Sequence, residues 1–482
     1  GAYRDNEVDA THPLMMTIDE IEKEQGVLSF LHLDNLLPQD VNAFIAEALA
    51  CPSTSTQPLT DLVYEKTQGN AFFTIEFLKS LHSEGLLTFE SPLSKRGSKG
   101  GWQWNVTQIQ AKDITDNVVE LMALKIGKLP ASTQSVLQLA ACIGNKFDLS
   151  TLGIIYQHQP VEVLVDLFPA MQEGLVIPLN NKYKLIETGD DFAASEVSFK
   201  FLHDRVQQAV YSSMTEYKKK TVHLKIGRLL LQKKKSVERE EILFDIVNHL
   251  NIGNELINIQ SKRDELAELN LIAGKKAKAA TAYELALRYL ALGLRLLTVD
   301  SWQYKYELTL TLHVEIVEAA YLNTKFKQAE NFSHLVLENA ITLLDKVKVY
   351  ELQIQFYMAQ SQIIKAIDTG FSTLKMLGIS LSSEFNNGHQ IIKLPRLTDL
   401  EDLPEMTNPY KLAALRLLMT VFTPAYVAKA EIVPAIILNM VNLCVEHGHS
   451  ALAAYAYALY GMLSCAVFEN INTGYLSGQL AL

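Results

Sequence analysis

From Leu202 to its end this chain reads as helix after helix, and the helices come in pairs. Three pairs are legible: Asn270–Leu297, Tyr304–Leu344 and Tyr350–Leu377. The second helix of each carries an alanine, Ala286, Ala329 and Ala366, at spacings of 43 and 37 residues. A side chain that ends at Cβ lets two helices approach closely, and a lone hairpin cannot bury its own apolar face. Stacking hairpin on hairpin makes a continuous core, so the chain is expected to form divergent two-helix repeats. A polar loop within Ser382–Pro404 interrupts the series before helices resume at Tyr410. Ala451–Phe468 is free of charge over 18 residues, near the lower limit for a membrane span. Its apolar residues are mostly Ala and Tyr, and Gly461 and Ser464 interrupt it, which predicts a buried helix of the array instead.

A length of 482 residues calls for about three units of roughly 100–200 residues each. With 48% hydrophobic and 20% charged residues the balance is globular. The net charge of −11, from 43 basic and 54 acidic residues, argues against a nucleic-acid coat or a polybasic membrane binder. One stretch runs the other way: Arg205–Glu240 holds ten basic and three acidic residues. Val222, Leu224, Ile226, Leu229 and Leu230 give it an apolar side, so it reads as a helix with a solvated basic face. Cys51, Cys142, Cys444 and Cys465 lie outside metal-ligand or CxxC spacing, which predicts a reduced, cytoplasmic protein without a disulfide framework or zinc. Gly1–Asp5 lacks the features of a signal peptide and reads as a cut through a domain.

The front of the chain is punctuated differently. Gly1–Val8 reads as the end of a strand, Pro13–Gln25 as a helix, and Val27–Leu33 alternates like a short strand; together they look like the tail of an α/β domain. Helices are expected after Pro38, over Leu59–Thr67, and from Phe72 to Gly85 behind the Gly69-Asn70 break, forming a helical lid over 36–90. Residues 91–112 read as a linker, with a flexible loop over Pro92–Gly101. Helical stripes over Val118–Leu129, Val136–Ile143, Leu149–Tyr156 and Val161–Glu173 precede strands at Leu175–Ile177 and Val197–Phe201. Helices followed by a two-stranded wing predict a winged helix over 113–214, leaving 215–482 to the repeats. The fold class expected is therefore mainly α.

No Walker A loop, HExxH, GxSxG or EF-hand pattern occurs, and Lys99-Gly100-Gly101 has the wrong order to cradle phosphates. Four strings nevertheless stand in order: Gly1-Ala2-Tyr3-Arg4-Asp5-Asn6-Glu7-Val8, Gln68-Gly69-Asn70-Ala71-Phe72-Phe73, Leu139-Ala140-Ala141-Cys142-Ile143-Gly144, and Phe201-Leu202-His203-Asp204-Arg205-Val206-Gln207-Gln208-Ala209. Together they resemble the signal-transduction ATPases with numerous domains, an AAA-related class of nucleotide switches. More narrowly, the chain is similar to the ATPase module of large bacterial, especially cyanobacterial, proteins. Those proteins carry a serine/threonine kinase before the module and GAF and histidine-kinase domains after it.

The resemblance implies that 1–35 is the end of a P-loop ATPase domain whose phosphate-binding front, with its magnesium, lies outside this sequence. It implies tetratricopeptide-like repeats, ATP or ADP as the bound nucleotide, and little nucleotide affinity or catalysis in this chain alone. Arg4 stands where the class has a sensor arginine for the terminal phosphate, a task suited to a charged planar fork. Gly69, Asn70 and Ala71 match the lid position where relatives have Gly-x-Pro, with Ala71 replacing the proline that packs by the adenine. His203 and Asp204 match the Met-His-Asp motif, with Leu202 for Met; there the histidine contacts the diphosphate. For each the plainer reading stands beside it: a surface arginine, a Gly-Asn helix break, and a His-Asp helix cap.

The leading expectation is a switch segment that relays nucleotide state to kinase domains and meets protein partners through its repeats, with nucleotide-dependent oligomers possible. Neither nucleic acid nor membrane is expected as a partner. The alternatives are a scaffold that binds proteins through its repeats without nucleotide switching, and a winged-helix transcription regulator. Against the last, Val161–Glu173, the candidate recognition helix, contains no Lys or Arg.

Overall fold

The computed structural model of the protein describes residue 21 and residues 28–91, 101–111, 115, 117–186, 197–233, 242–381 and 403–482. It is mainly helical and divides into two compact units, Gly1–Thr215 and Glu216–Leu482. Over the described residues 28–33 the strand expected at Val27–Leu33 is not formed. Residues 28–37 are neither helix nor strand, and Phe30, Leu31 and Leu33 are 62%, 85% and 82% exposed. Alternation alone cannot hold a strand without a ladder partner, and among the described residues none pairs with it.

In the first unit three helices come first: α1 (Pro38–Ala48), α2 (Ser53–Thr67) and α3 (Ala71–Ser83). The second begins six residues before the sequence pattern suggests and runs through Pro58. The buried Asn42 accounts for this early start. Its Nδ2 donates to the Ser53 carbonyl (3.1 Å) and to Gln57 Oε1 (2.7 Å), while its Oδ1 accepts from Thr56 and Thr60 hydroxyls at 2.7 and 2.9 Å. One polar side chain on α1 thus secures the opening turns of α2.

A hairpin of β1 (Leu87–Glu90) and β2 (Gly101–Trp104) follows, where the sequence reads as lid end and linker. Each strand has only four residues, too few to display a period. Trp102 packs edge-on against both His82 and Phe89, with centroids 5.4 and 5.6 Å away. The loop expected at Pro92–Gly101 lies outside the described residues up to Gly101.

Next come α4 (Val106–Ala111), α5 (Val118–Gly127), α6 (Ala131–Ile143), β3 (Lys146–Asp148), α7 (Leu149–Tyr156), α8 (Pro160–Gln172), β4 (Val176–Pro178), β5 (Ser198–Phe201) and α9 (Asp204–Ser212). The strands form one antiparallel sheet in the order β3-β5-β4. The sequence shows β4 and β5 but not β3, whose three residues become a strand only by pairing Phe147 with Phe199. A single hydrophobic core runs from Val41 on α1 to Val210 on α9, so the segments read separately as 36–90 and 113–214 share one interior.

The second unit opens with α10 (Glu216–Lys233) and α11 (Leu243–Ile252). Val222, Leu224, Ile226 and Leu230 of α10 are buried, while Lys218, Lys225 and Arg228 face outward. Hairpins then follow: α12 (Gln260–Ala279) with α13 (Tyr283–Leu296), α14 (Tyr306–Leu322) with α15 (Phe326–Asn339), and α16 (Leu343–Ala359) with α17 (Ile363–Met376). Each turns on one left-handed residue, Thr281 (φ 61°), Thr324 (φ 55°) or Ser361 (φ 58°). The turns close with the same backbone bond, Ala282 N to Ala277 O, Lys325 N to Ala320 O and Gln362 N to Tyr357 O, at 2.8–2.9 Å. Ala286, Ala329 and Ala366 each lie five residues beyond that turn and are buried.

Hairpin boundaries differ from the sequence reading in two places. The first pair opens at Gln260, ten residues ahead of Asn270, and the second pair ends before Leu343. Leu343 and Leu344 open the third pair instead of ending the second, because Thr342 caps α16 through a reciprocal box with Asp345 (3.2 Å in both directions). The last four helices are α18 (Pro409–Ala428), α19 (Val433–His447), α20 (Ala453–Ala466) and α21 (Ile471–Leu480). Pro409–Ala428 and Ala430–His447 are long and apolar enough by composition to cross a membrane, yet 44% and 50% of these windows are buried. They share a core with α20, where Ala456, Tyr457 and Tyr460 are fully enclosed. The α20–α21 turn repeats the left-handed device at Glu469 (φ 52°), and five residues on stands Gly474 in place of alanine.

Candidate functional site

The Gly69-Asn70-Ala71 string sits at the junction of α2 and α3. Gln68 closes α2 with φ 50° and Gly69 follows with φ 74°. Two left-handed residues in succession reverse the chain, and its carbonyls are met by residues 35 and 36. Asn35 Nδ2 donates to Gln68 O (3.0 Å), and Leu36 N donates to Gly69 O (2.9 Å). A Cβ at Gly69 would lie 2.1 Å from Leu36 O, so this close approach requires glycine. Asn70 caps α3, its side-chain oxygen accepting from Phe73 N at 2.9 Å. Ala71 is the first helical residue, exposed, at a position where proline also fits.

His203 and Asp204 lie where β5 gives way to α9. His203 has extended backbone (φ −148°, ψ 148°) and is the N-cap of α9. Its Nδ1 lies 2.6 Å from Asp204 Oδ1. The Arg205 amide points between the two, 3.1 Å from Nδ1 and 3.0 Å from the carboxylate oxygen. A lone pair facing a carboxylate at 2.6 Å would repel it, so the proton belongs on Nδ1, which donates to Asp204 while the Arg205 amide donates to the same carboxylate. The ring's other polar atom, Nε2, then donates only when the imidazole is charged.

The two strings meet. The Phe72 ring lies on the His203 ring with centroids 4.2 Å apart and planes 9° from parallel. One helical turn along, the buried Glu76 binds Lys79 (2.9 Å) on α3 and Lys125 (2.5 Å) on α5. Burial alone would push the Glu76 carboxyl up, but the hydrogen bonds and charges of Lys125 and Lys79 outweigh it and hold it below the usual range. Gln207 on α9 adds a third tie, its Nε2 donating to Ala141 O at 3.0 Å.

Five of the six sequence candidates are thus at one place: Gly69, Asn70 and Ala71 on one side of the Phe72–His203 stack, with His203 and Asp204 on the other. Arg4 lies outside the described residues. Sequence reasoning missed Phe72 and Glu76. A carboxylate inside the apolar run Phe72-Phe73-Thr74-Ile75-Glu76-Phe77-Leu78 was the available signal for the second. Among the described residues no cluster of His, Cys, Asp and Glu is arranged to hold a metal ion.

No protein-family model matches the chain. The Hybrid signal transduction histidine kinase G of Dictyostelium discoideum is 25% identical over 556 aligned residues, which take in 100% of this chain and 16% of that protein. The chain therefore spans a small part of the curated relative's length. Among solved structures, a Signal Transduction ATPase with Numerous Domains (STAND) protein with a tetratricopeptide repeat sensor from Pyrococcus horikoshii is similar at 12% identity and a TM-score of 0.37. That match covers 94% of this chain and 58% of the other.

Proposed function

We propose that this chain is the regulatory segment of a signal-transduction switch, in which the Gly69–Ala71 turn and His203 face an adenine nucleotide held by a phosphate-binding domain of a longer protein. The observation that carries the reading is the Phe72–His203 stack, which joins the two strings beside one hydrophobic core. The likeness to a relative named as a signal transduction histidine kinase supports a signalling role. In this reading the β3-α7-α8-β4-β5 arrangement is a winged helix and the hairpins of the second unit receive a protein partner or relay the nucleotide state to linked kinase domains. ADP and ATP must be bound with different affinity in the two states for any such relay to work.

The chemistry of His203 is suited to a diphosphate. A phosphate oxygen accepts hydrogen bonds only, so Nε2 must donate, and with Nδ1 held by Asp204 that demands the imidazolium. The opening of α9 adds its own donors and partial positive charge. Asp204 keeps the ring's tautomer and its rotation fixed while sitting on the far nitrogen. Gly69 permits a backbone approach that no other residue could make.

A DNA-binding role is disfavoured by α8. Its exposed face presents Val161, Val165 and Phe168, 41%, 66% and 49% exposed, and the helix holds no cation for phosphate. The test of the nucleotide reading is the ADP dissociation rate of the longer natural polypeptide, followed by fluorescent-ADP chase. His203→Ala should speed release at least tenfold, and an unchanged rate would reject the role of His203.

A further inference from the structure

We infer that Phe72 is a positioning residue for His203, fixing the plane of the imidazole, so that the lid helix reports directly on the diphosphate sensor. The inference rests on the nucleotide reading above and adds to it a residue to which the sequence alone gave no role.

An imidazole at a helix N-cap has two side-chain torsions to fix. The contact of Nδ1 with Asp204 holds one edge of the ring, and a contact on the ring face fixes its plane. Phe72 supplies it: at 4.2 Å and 9° the two faces are in full van der Waals contact. Phe72 is itself held, because it is the second residue of α3, whose first turn is capped by Asn70 and whose next turn is pinned by Glu76 to Lys125 on α5. The benzene face also carries negative quadrupole potential and stabilises a cation placed over it. Asp204 on the ring edge acts in the same direction, whereas Arg205, whose guanidinium bonds Gln208, is the adjacent cation that opposes it. A phosphate brought to Nε2 would therefore meet a ring whose face and edge both accommodate the imidazolium.

The consequence for switching is mechanical. Gly69 and Asn70 set where α3 begins, and a nucleotide that moves this turn would slide Phe72 across His203. The adenine side and the phosphate side of the site would then communicate through one ring contact.

The test uses two measurements. In this 482-residue chain, the His203 Cε1–H resonance is recorded by NMR in the wild type, Phe72→Leu and Phe72→Tyr. Phe72→Leu should cancel the ring-current shift of that resonance, and Phe72→Tyr should retain it. In the longer natural polypeptide, Phe72→Leu should accelerate ADP release in the same direction as His203→Ala, with Phe72→Tyr near wild type. If His203→Ala speeds release and Phe72→Leu does not, the positioning role is overturned while the nucleotide reading stands. If neither variant changes release, the nucleotide reading falls. If Phe72→Leu leaves the His203 resonance unmoved, the ring contact is absent in solution and the positioning role is refuted whatever the release rates.

Discussion

Acidification from pH 7 to pH 5 should weaken the second unit by a calculable amount through two histidines that touch. His223 on α10 and His249 on α11 are 5% and 8% exposed, and their Nδ1 atoms are 2.7 Å apart. Only one of those nitrogens can carry a proton, donating to the bare lone pair of the other; a second proton would destroy the contact. Burial pushes both imidazoles below the ordinary value of 6.5, and for His249, with the charge of His223 adding to burial, the value falls to about 4. The sign follows from proton counting. Between about 6.5 and 4 the unfolded chain binds protons that the folded chain refuses, so stability is complete above that window and declines as pH falls through it. For His249 alone the loss at pH 5 is about 2 kcal/mol, approaching about 3 kcal/mol near pH 4. Urea unfolding of the wild type and of His249→Asn at pH 7 and pH 5 measures it. The variant is expected to be weaker at pH 7 but to lose about 2 kcal/mol less on acidification. Equal losses in both proteins would show that the pair does not refuse protons and would refute the reasoning.

The other expectations concern packing and turns. Gly370→Ala places a Cβ 2.0 Å from Val421 Cγ2 between α17 and α18, and should cost about 1–3 kcal/mol in urea unfolding; Val421→Ala in the same chain should recover part of it. Thr281→Gly, Thr324→Gly and Ser361→Gly relieve left-handed backbone at exposed turns and should each stabilise by about 0.5 kcal/mol, read as a rise in Tm. A fall in Tm would mean the native side chain contributes more than the strain. Lys125→Met leaves Glu76 buried with a single cation, and should destabilise the first unit by about 3 kcal/mol. A loss under about 1 kcal/mol would show that the clamp between α3 and α5 is not what orders them.

Legibility in the sequence followed length and local chemistry. Helices such as Leu149–Tyr156 were readable to the residue because Asp148 caps one end and the chain breaks before Pro160. The alanine spacing located three hairpins because small residues are needed where helices cross. The fourth such turn, before Gly474, was hidden because glycine took the alanine's place; a Cβ there would lie 2.2 Å from Cys465 Sγ. Strands β1, β2 and β3 left no readable trace, since three or four residues carry no period and exist as strands only through their partners. The alternation over Val27–Leu33 failed in the opposite sense, since among the described residues no strand pairs with residues 28–33.

At the candidate site the division is similar. Gly69, Asn70, His203 and Asp204 could be picked out from their strings, because a left-handed glycine and helix-capping side chains leave local signatures. The sequence by itself therefore determined the mainly helical fold, the repeat spacing and the identity of the capping groups. That Phe72 lies flat on His203, that Glu76 reaches Lys125, and that His223 meets His249 was decided only by tertiary structure. Local patterns depend on neighbours three or four positions away, whereas these contacts join residues brought together by the packing of one helix on another, which no local period encodes.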